Sequence, residues 1–272
     1  MVSSDQRRRQ LAREKYERQQ QRRAVQRQKT KRRNVIVASS VALVVVAGLV
    51  GAAVASYAGA FTESGKGQGA EAADPCGKPA KGRPSTQKWK KEPAMSVDTS
   101  ASYDVTLGTT CGQIEMELDA GKAPHTVNSF AFLAGKRYFD HSKCHRLVDQ
   151  GIFVLQCGDP TATGGGTPGY SLPDENLKDP ALKGGIYPAG TVAMANTYDG
   201  KNEKTRNSGG SQFFLVYRDS KLPPNYTPFG KITAGMDVLQ KIAKAGSRAD
   251  PATHNTAPKA TVVINKATVT KS

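Results

Sequence analysis

The stretch GGSQFFLVY, Gly209 to Tyr217, decides the fold class. Read as a strand, it sends successive side chains to opposite faces. Gln212, Phe214 and Val216 then share one face, and Ser211, Phe213 and Leu215 share the other. The second face is apolar after Ser211 and belongs in a core. The first sets an amide beside an aromatic, the makings of a small binding surface or of a half-buried strand with a polar first residue. Working outward, YDVTLGTTCGQIEMEL alternates on both sides of a tight Gly-containing turn and reads as a hairpin. CHRLV, GIFVLQCGD, GTVAMAN, FGKI and TVVINKATV read as further short strands. APHTVNSFAFLAGKRY carries a helical stripe of Val127, Phe130, Ala131 and Leu133, with His125 or Thr126 at the cap position. MDVLQKIAKAG reads as a second helix, stopped by Gly246. Many short strands with two helices predict a mainly β domain over 101–272, a closed antiparallel barrel with helices covering its ends.

The charge is not evenly spread. The chain of 272 residues carries a formal +16, and residues 1–34 hold 13 Lys/Arg against three acids. The 27 residues that follow, 35–61, contain no charged side chain. About 20 apolar residues suffice for a helix to cross a bilayer. A cleaved signal peptide is the competing reading, and small-residue sites stand at Ala53–Ala55 and Ala58–Ala60. The long basic head and long apolar run fit a signal peptide less well. The expectation is therefore a transmembrane signal anchor over 35–61. The positive-inside rule places the basic arm, 1–34, in the cytoplasm and the rest beyond the cell membrane. Anionic lipid headgroups suit that arm better than nucleic acid does.

Residues 62–100 are rich in Gly, Ala, Lys and Pro and read as a flexible linker, with Trp89 inside it. The four cysteines are Cys76, Cys111, Cys144 and Cys157. In an exported region they allow two disulfides, in any of about three pairings. Cys144 and Cys157 flank two short strands, which makes a cross-strand bridge the natural choice and leaves Cys76 for Cys111; free thiols are the alternative. Neither Cys nor His stands at metal-ligand spacing, so neither a metal nor a cofactor is expected. GDPTATGGGTPG resembles a phosphate-binding loop but lacks the Lys-Ser/Thr ending and opens no helix; it reads as a plain surface loop. DENL reads as a turn with a local cap.

In order along the chain, CHRLV, FVLQCGDPTATGGGTPGY, DENL, GTVAMAN, NSGGSQFFLVY and FGKITAGMDVLQKI resemble the cyclophilin family of peptidyl-prolyl cis-trans isomerases. With the basic arm and apolar run, the layout is similar to membrane-anchored, extracytoplasmic members from actinobacteria. The resemblance implies an eight-stranded antiparallel barrel capped by two α-helices. It implies a catalytic arginine at Arg146, with Gln156 orienting its guanidinium. Substrate-binding positions fall on Phe153, Val154, Ala195, Asn196, Gln212, Phe214, Leu222 and Tyr226. Among these, Ala195, Asn196 and Gln212 would grip peptide backbone and Phe214 would floor a proline pocket. Val154 stands for a family methionine, Tyr226 for a histidine, and Lys221 for a tryptophan that supports cyclosporin binding in the family. The implied partners are proline-containing peptides and unfolded exported proteins, met by a monomeric domain. The reading from another function class is a non-catalytic module that holds Pro-containing segments in a cell-envelope complex. An intact Arg146, Gln156 and Phe214 favour the enzyme.

Overall fold

The structure is a computed structural model, and it describes residues 73–198, 200–250 and 255–272. The expected basic arm and transmembrane segment lie outside the described residues. Among the described residues no helix is long and apolar enough to cross a membrane.

Strands β1 (Ser102–Thr109) and β2 (Gly112–Asp119) form the expected hairpin, with Thr109 opposite Gly112. Helix α1 (Pro124–Gly135) follows, then β3 (Ser142–Lys143), β4 (Arg146–Val148) and β5 (Val154–Cys157). After a short 3-10 segment come β6 (Ile186–Tyr187), β7 (Thr191–Met194), β8 (Phe213–Val216), β9 (Ser220–Lys221) and β10 (Pro228–Ala234). Helix α2 (Met236–Ala245), β11 (Ser247–Asp250), β12 (Asn255–Pro258) and β13 (Val263–Lys271) complete the domain. Nine strands make one sheet in the order β3-β13-β1-β2-β10-β7-β8-β5-β4.

The closed eight-stranded barrel expected from the sequence is corrected here. The ladder is open between β3 and β4, the two edge strands. Only Cys144 and His145 separate them in the chain, so the sheet curls until its edges come near each other. The backbone N–H of Cys144 donates to Val262 at 2.9 Å, on the β13 side, whereas Arg146 pairs with β5 on the other edge. A two-residue connection spent on changing edges leaves nothing to pair β3 with β4. The outer edge of β4 is covered by β12, where the Thr256 hydroxyl donates to the Leu147 carbonyl at 2.5 Å.

Alternation in β8 places Phe213 and Leu215 in the main core and Phe214 and Val216 in a second, smaller apolar cluster. Phe213 meets Phe130 of α1 and Phe139 at centroid distances of 5.3 and 5.8 Å. Helix α2 lays Val238, Leu239 and Ile242 on the sheet and stops at Gly246, whose φ of 81° suits glycine. The N-terminus of α1 is not capped by His125 or Thr126. Its N-cap is Ala123, which has no side-chain acceptor, and Pro124 occupies the first turn. Glu175 of DENL supplies the acceptor from about 50 residues away: its carboxylate takes the N–H of His125 at 3.0 Å, and the N–H and hydroxyl of Thr126 at 2.9 and 2.7 Å. DENL is thus a remote cap and not a local one.

Residues 73–100, read from the sequence as part of a flexible linker, hold no helix or strand yet are tied to the domain. Cys76 is disulfide-bonded to Cys111 in the β1–β2 turn. The indole of Trp89 packs edge-on to Phe132 at 5.1 Å and against Tyr138 at 5.8 Å. Its backbone N–H donates to the Pro168 carbonyl at 2.8 Å. Asn128 of α1 clasps the strap further on, accepting from the Ser96 N–H at 2.9 Å and donating to the Pro93 and Ala94 carbonyls. Few apolar residues are needed because backbone groups make most of these contacts. The Cys76–Cys111 bridge spans a separation of 35 residues. Loop-closure entropy over that length corresponds to about 3–4 kcal/mol. We expect Cys76→Ser/Cys111→Ser to lose about that much stability in urea unfolding of the oxidised protein.

Candidate active site

Three neighbouring strands bring the expected residues together. The register sets Arg146 of β4 opposite Gln156 of β5, and Gln156 opposite Phe214 of β8. Residues paired on one sheet face stand side by side, so a cation, an amide and an aromatic line up across the sheet. Arg146 Nη1 donates to Gln156 Oε1 at 3.3 Å. Gln156 Nε2 donates to Gln212 Oε1 at 2.9 Å. Gln212 Nε2 donates to the carbonyls of Gly164 and Gly166 at 2.9 and 3.0 Å. Both ends of the Gln212 amide are thus engaged within the protein.

Beside Arg146 lies a pocket of about 150 Å³, lined by Ile152, Val154, Gln156, Ala195, Asn196, Phe214, Leu222 and Tyr226. Its floor is the second apolar cluster. Phe214 is 4% exposed and Val154 2%. The Tyr226 ring stands edge-on to Phe214 at 5.4 Å. Tyr187, fully buried beneath, donates its hydroxyl to the Tyr226 carbonyl at 2.8 Å and fixes that wall. Leu222 is held by its N–H on the Gly185 carbonyl at 2.9 Å. The Asn196 side chain is occupied: Nδ2 donates to the Asn225 carbonyl at 2.7 Å, and Oδ1 accepts from the Tyr198 N–H at 3.2 Å.

Phe153 does not line the pocket. Its ring packs against Tyr217 at 5.9 Å, with the Arg218 guanidinium over its face at 3.3 Å. Ile152 takes the place at the wall. Strand alternation carried back from Gln156 reaches Val154 and then Ile152, and that period of two was the signal for it.

The electrostatics are those of a partly buried cation among neutral groups. Burial lowers the Arg146 pKa, with Tyr226 opposing, yet a guanidinium stays charged at working pH. A disulfide between Cys144 and Cys157 joins the β3–β4 connection to the end of β5 next to this pair. Among the described residues no group of three or more His, Cys, Asp or Glu could hold a metal ion. The arrangement can therefore bind a small apolar ring and present a fixed donor to it. His145 is 4% exposed, and neither ring nitrogen has a hydrogen-bond partner among the described residues. Burial lowers its pKa, with Asp159 pulling upward and Arg146 downward. The depressed folded value means its contribution is fully present above an unfolded value of ~6.5 and is lost as pH falls through the folded one. Urea midpoints between pH 8 and pH 5 are expected to fall less for His145→Leu than for the parent protein.

Comparison with known proteins points to one family. The family model described as cyclophilin type peptidyl-prolyl cis-trans isomerase/CLD matches residues 103–269. A probable peptidyl-prolyl cis-trans isomerase B of Mycobacterium leprae is 46% identical over 155 residues, 54% of this chain and 50% of that protein. A peptidyl-prolyl cis-trans isomerase-like 1 of Neurospora crassa is 36% identical over 166 residues, 59% of this chain and 94% of that protein. The chain thus spans about half the length of the mycobacterial relative it matches. The crystal structure of a cyclophilin type isomerase from Cryptosporidium parvum superposes with a TM-score of 0.50 at 28% identity, covering 62% of this chain and 98% of that one. With a family match over most of its described residues, the chain belongs to the cyclophilin type peptidyl-prolyl cis-trans isomerases.

Proposed function

We propose that this protein accelerates rotation about X-Pro peptide bonds in exported polypeptides, without a covalent intermediate, metal or cofactor. The observation that carries the reading is the Arg146–Gln156 pair standing at the rim of an apolar pocket floored by Phe214. The reaction faces a barrier of ~18–20 kcal/mol and takes tens of seconds or more unaided. Midway through rotation the amide loses its resonance, and the proline nitrogen regains a lone pair that accepts a hydrogen bond. A permanently charged donor at that point binds the twisted state better than either planar one.

A millionfold acceleration needs ~8 kcal/mol. One charge-assisted hydrogen bond supplies about 1.5–3 kcal/mol of that. The remainder comes from holding the proline ring between Val154, Phe214 and Leu222 while the peptide backbone is fixed. Since the Asn196 side chain is spent on Asn225 and Tyr198, the bound peptide would meet Ala195 and Asn196 through their backbone groups.

The proposed setting is the outer side of a cell membrane, with 35–61 as a single-pass anchor and 1–34 in the cytoplasm. The uncharged run of 27 residues behind 13 Lys/Arg supports it. Two disulfides, which suit an oxidising compartment, support it as well. External protease applied to intact cells should remove the domain and spare the arm. Digestion only after lysis would overturn this placement.

The enzymatic reading is tested with the full-length chain in a peptidyl-prolyl isomerisation assay on short X-Pro peptides. Arg146→Ala is expected to lower kcat/KM ~10- to 100-fold with peptide binding largely kept. A folded parent protein that gives no acceleration would overturn the enzyme and favour a module that only holds Pro-containing segments.

A further inference from the structure

The glycine-rich loop after β5 has a role that its sequence does not announce. Asp159 is 0% exposed, and its carboxylate gathers the loop around itself. Oδ1 accepts from the Thr161 N–H at 2.8 Å and the Thr161 hydroxyl at 2.7 Å. Oδ2 accepts from the N–H groups of Thr163, Gly164 and Gly166 at 3.1, 2.7 and 3.0 Å. The loop is wound so tightly that a Cβ on Gly166 would fall 1.8 Å from Asp159 Oδ1. That winding turns the carbonyls of Gly164 and Gly166 toward Gln212.

Two groups of opposite character end this chain of bonds. A carbonyl only accepts, so the end of the Gln212 amide that faces Gly164 and Gly166 is its NH₂. Its oxygen then faces Gln156, which must answer with its own NH₂. The oxygen of Gln156 is left for Arg146, and a guanidinium only donates. The acceptors at one end and the donor at the other permit a single orientation of both amides. Chains of this kind also strengthen one another when every member is satisfied.

We propose that Asp159 is a positioning residue for catalysis: by fixing the loop carbonyls it sets the polarity of the Gln212–Gln156 relay and hence the aim of the Arg146 guanidinium. It touches no substrate and acts only through Arg146. The proposal rests on the isomerase reading and deepens it.

The test is a double-mutant cycle in the full-length chain, with Asp159→Asn and Arg146→Ala made singly and together. Asparagine keeps the shape but turns an NH₂ toward donors. Asp159→Asn is expected to lower kcat about tenfold, with KM and peptide affinity within about twofold. In the Arg146→Ala background the same change is expected to shift kcat/KM by less than about twofold. The side-chain NH₂ signals of Gln156 and Gln212 in NMR spectra should move with Asp159→Asn. Gly166→Ala, which breaks the same clasp by crowding, is carried through the same cycle and decides the matter if Asp159→Asn does not fold.

An equal loss of kcat/KM in both backgrounds would overturn the proposal, since the effect would then bypass Arg146. Unchanged turnover in the folded variant would overturn it too. An Arg146→Ala protein with parental turnover would instead overturn the catalytic reading of Arg146. The amide signals would then decide the relay alone, and their failure to move would overturn it.

Discussion

Strand β8 is buried on both faces, and most of the domain follows from that constraint. Phe213 is 0% exposed and Phe214 4%. A strand with no wet face must be covered twice. Helix α1 and the main aromatic cluster cover the Phe213 side. The Phe214 side is closed from beneath by Tyr187 and flanked by Val154, leaving one concave opening next to Arg146. The pocket is therefore not carved into a finished fold. It is the incompletely filled half of the second core, and the residues that floor it also stabilise it.

The sheet and the site were legible to different degrees, for physical reasons. The hairpin of β1 and β2 showed itself through alternation, because both strands keep one face inward. Arg146, Gln156 and Phe214 came from the order of short motifs, and the register brings them onto one face. The motif places an aromatic at Phe153, whereas the period of two leads from Gln156 to Ile152, which lines the pocket. The ring at Phe153 instead lies under Arg218, 65 residues later, a contact that no local pattern encodes. Edge pairing is likewise invisible in a linear pattern, and closure of the barrel was overread. The helix cap from Glu175 and the docked strap share one property. Both depend on hydrogen bonds to backbone groups far along the chain, so composition alone reads them as a turn and a tether.

The site combines a cation that cannot release its proton with neighbours that carry no competing charge. His145, next in the chain, is buried, and that burial lowers its pKa. A buried carboxylate nearby, Asp159, would be raised by burial, but bonds from Thr161, Gly166 and Gly164 outweigh this and hold it below the usual range. Its charge is spent on the loop. Arg146 thus faces the Gln156 amide and an apolar pocket, and among the described residues it has no carboxylate salt bridge to quench it. A donor bound to an acid would be stabilised in its resting state and would offer less to a lone pair that exists only in passing.

The disulfide at Cys76 also has a mechanical meaning. Any tension reaching the domain from the N-terminal side meets the hydrogen bond between Asp74 and Thr261 and then Cys76, whose bond to Cys111 passes it directly into the turn between β1 and β2. These two strands lie in the middle of the ladder, flanked by β13 and β10. The stretch from Gly77 onward stays slack while the covalent bond bears the load. Trp89 keeps its seat against Phe132, and the Pro168 end of the glycine-rich loop is not dragged. Such a pull is thus grounded in the interior of the ladder before it can disturb the face that carries Arg146 and Phe214.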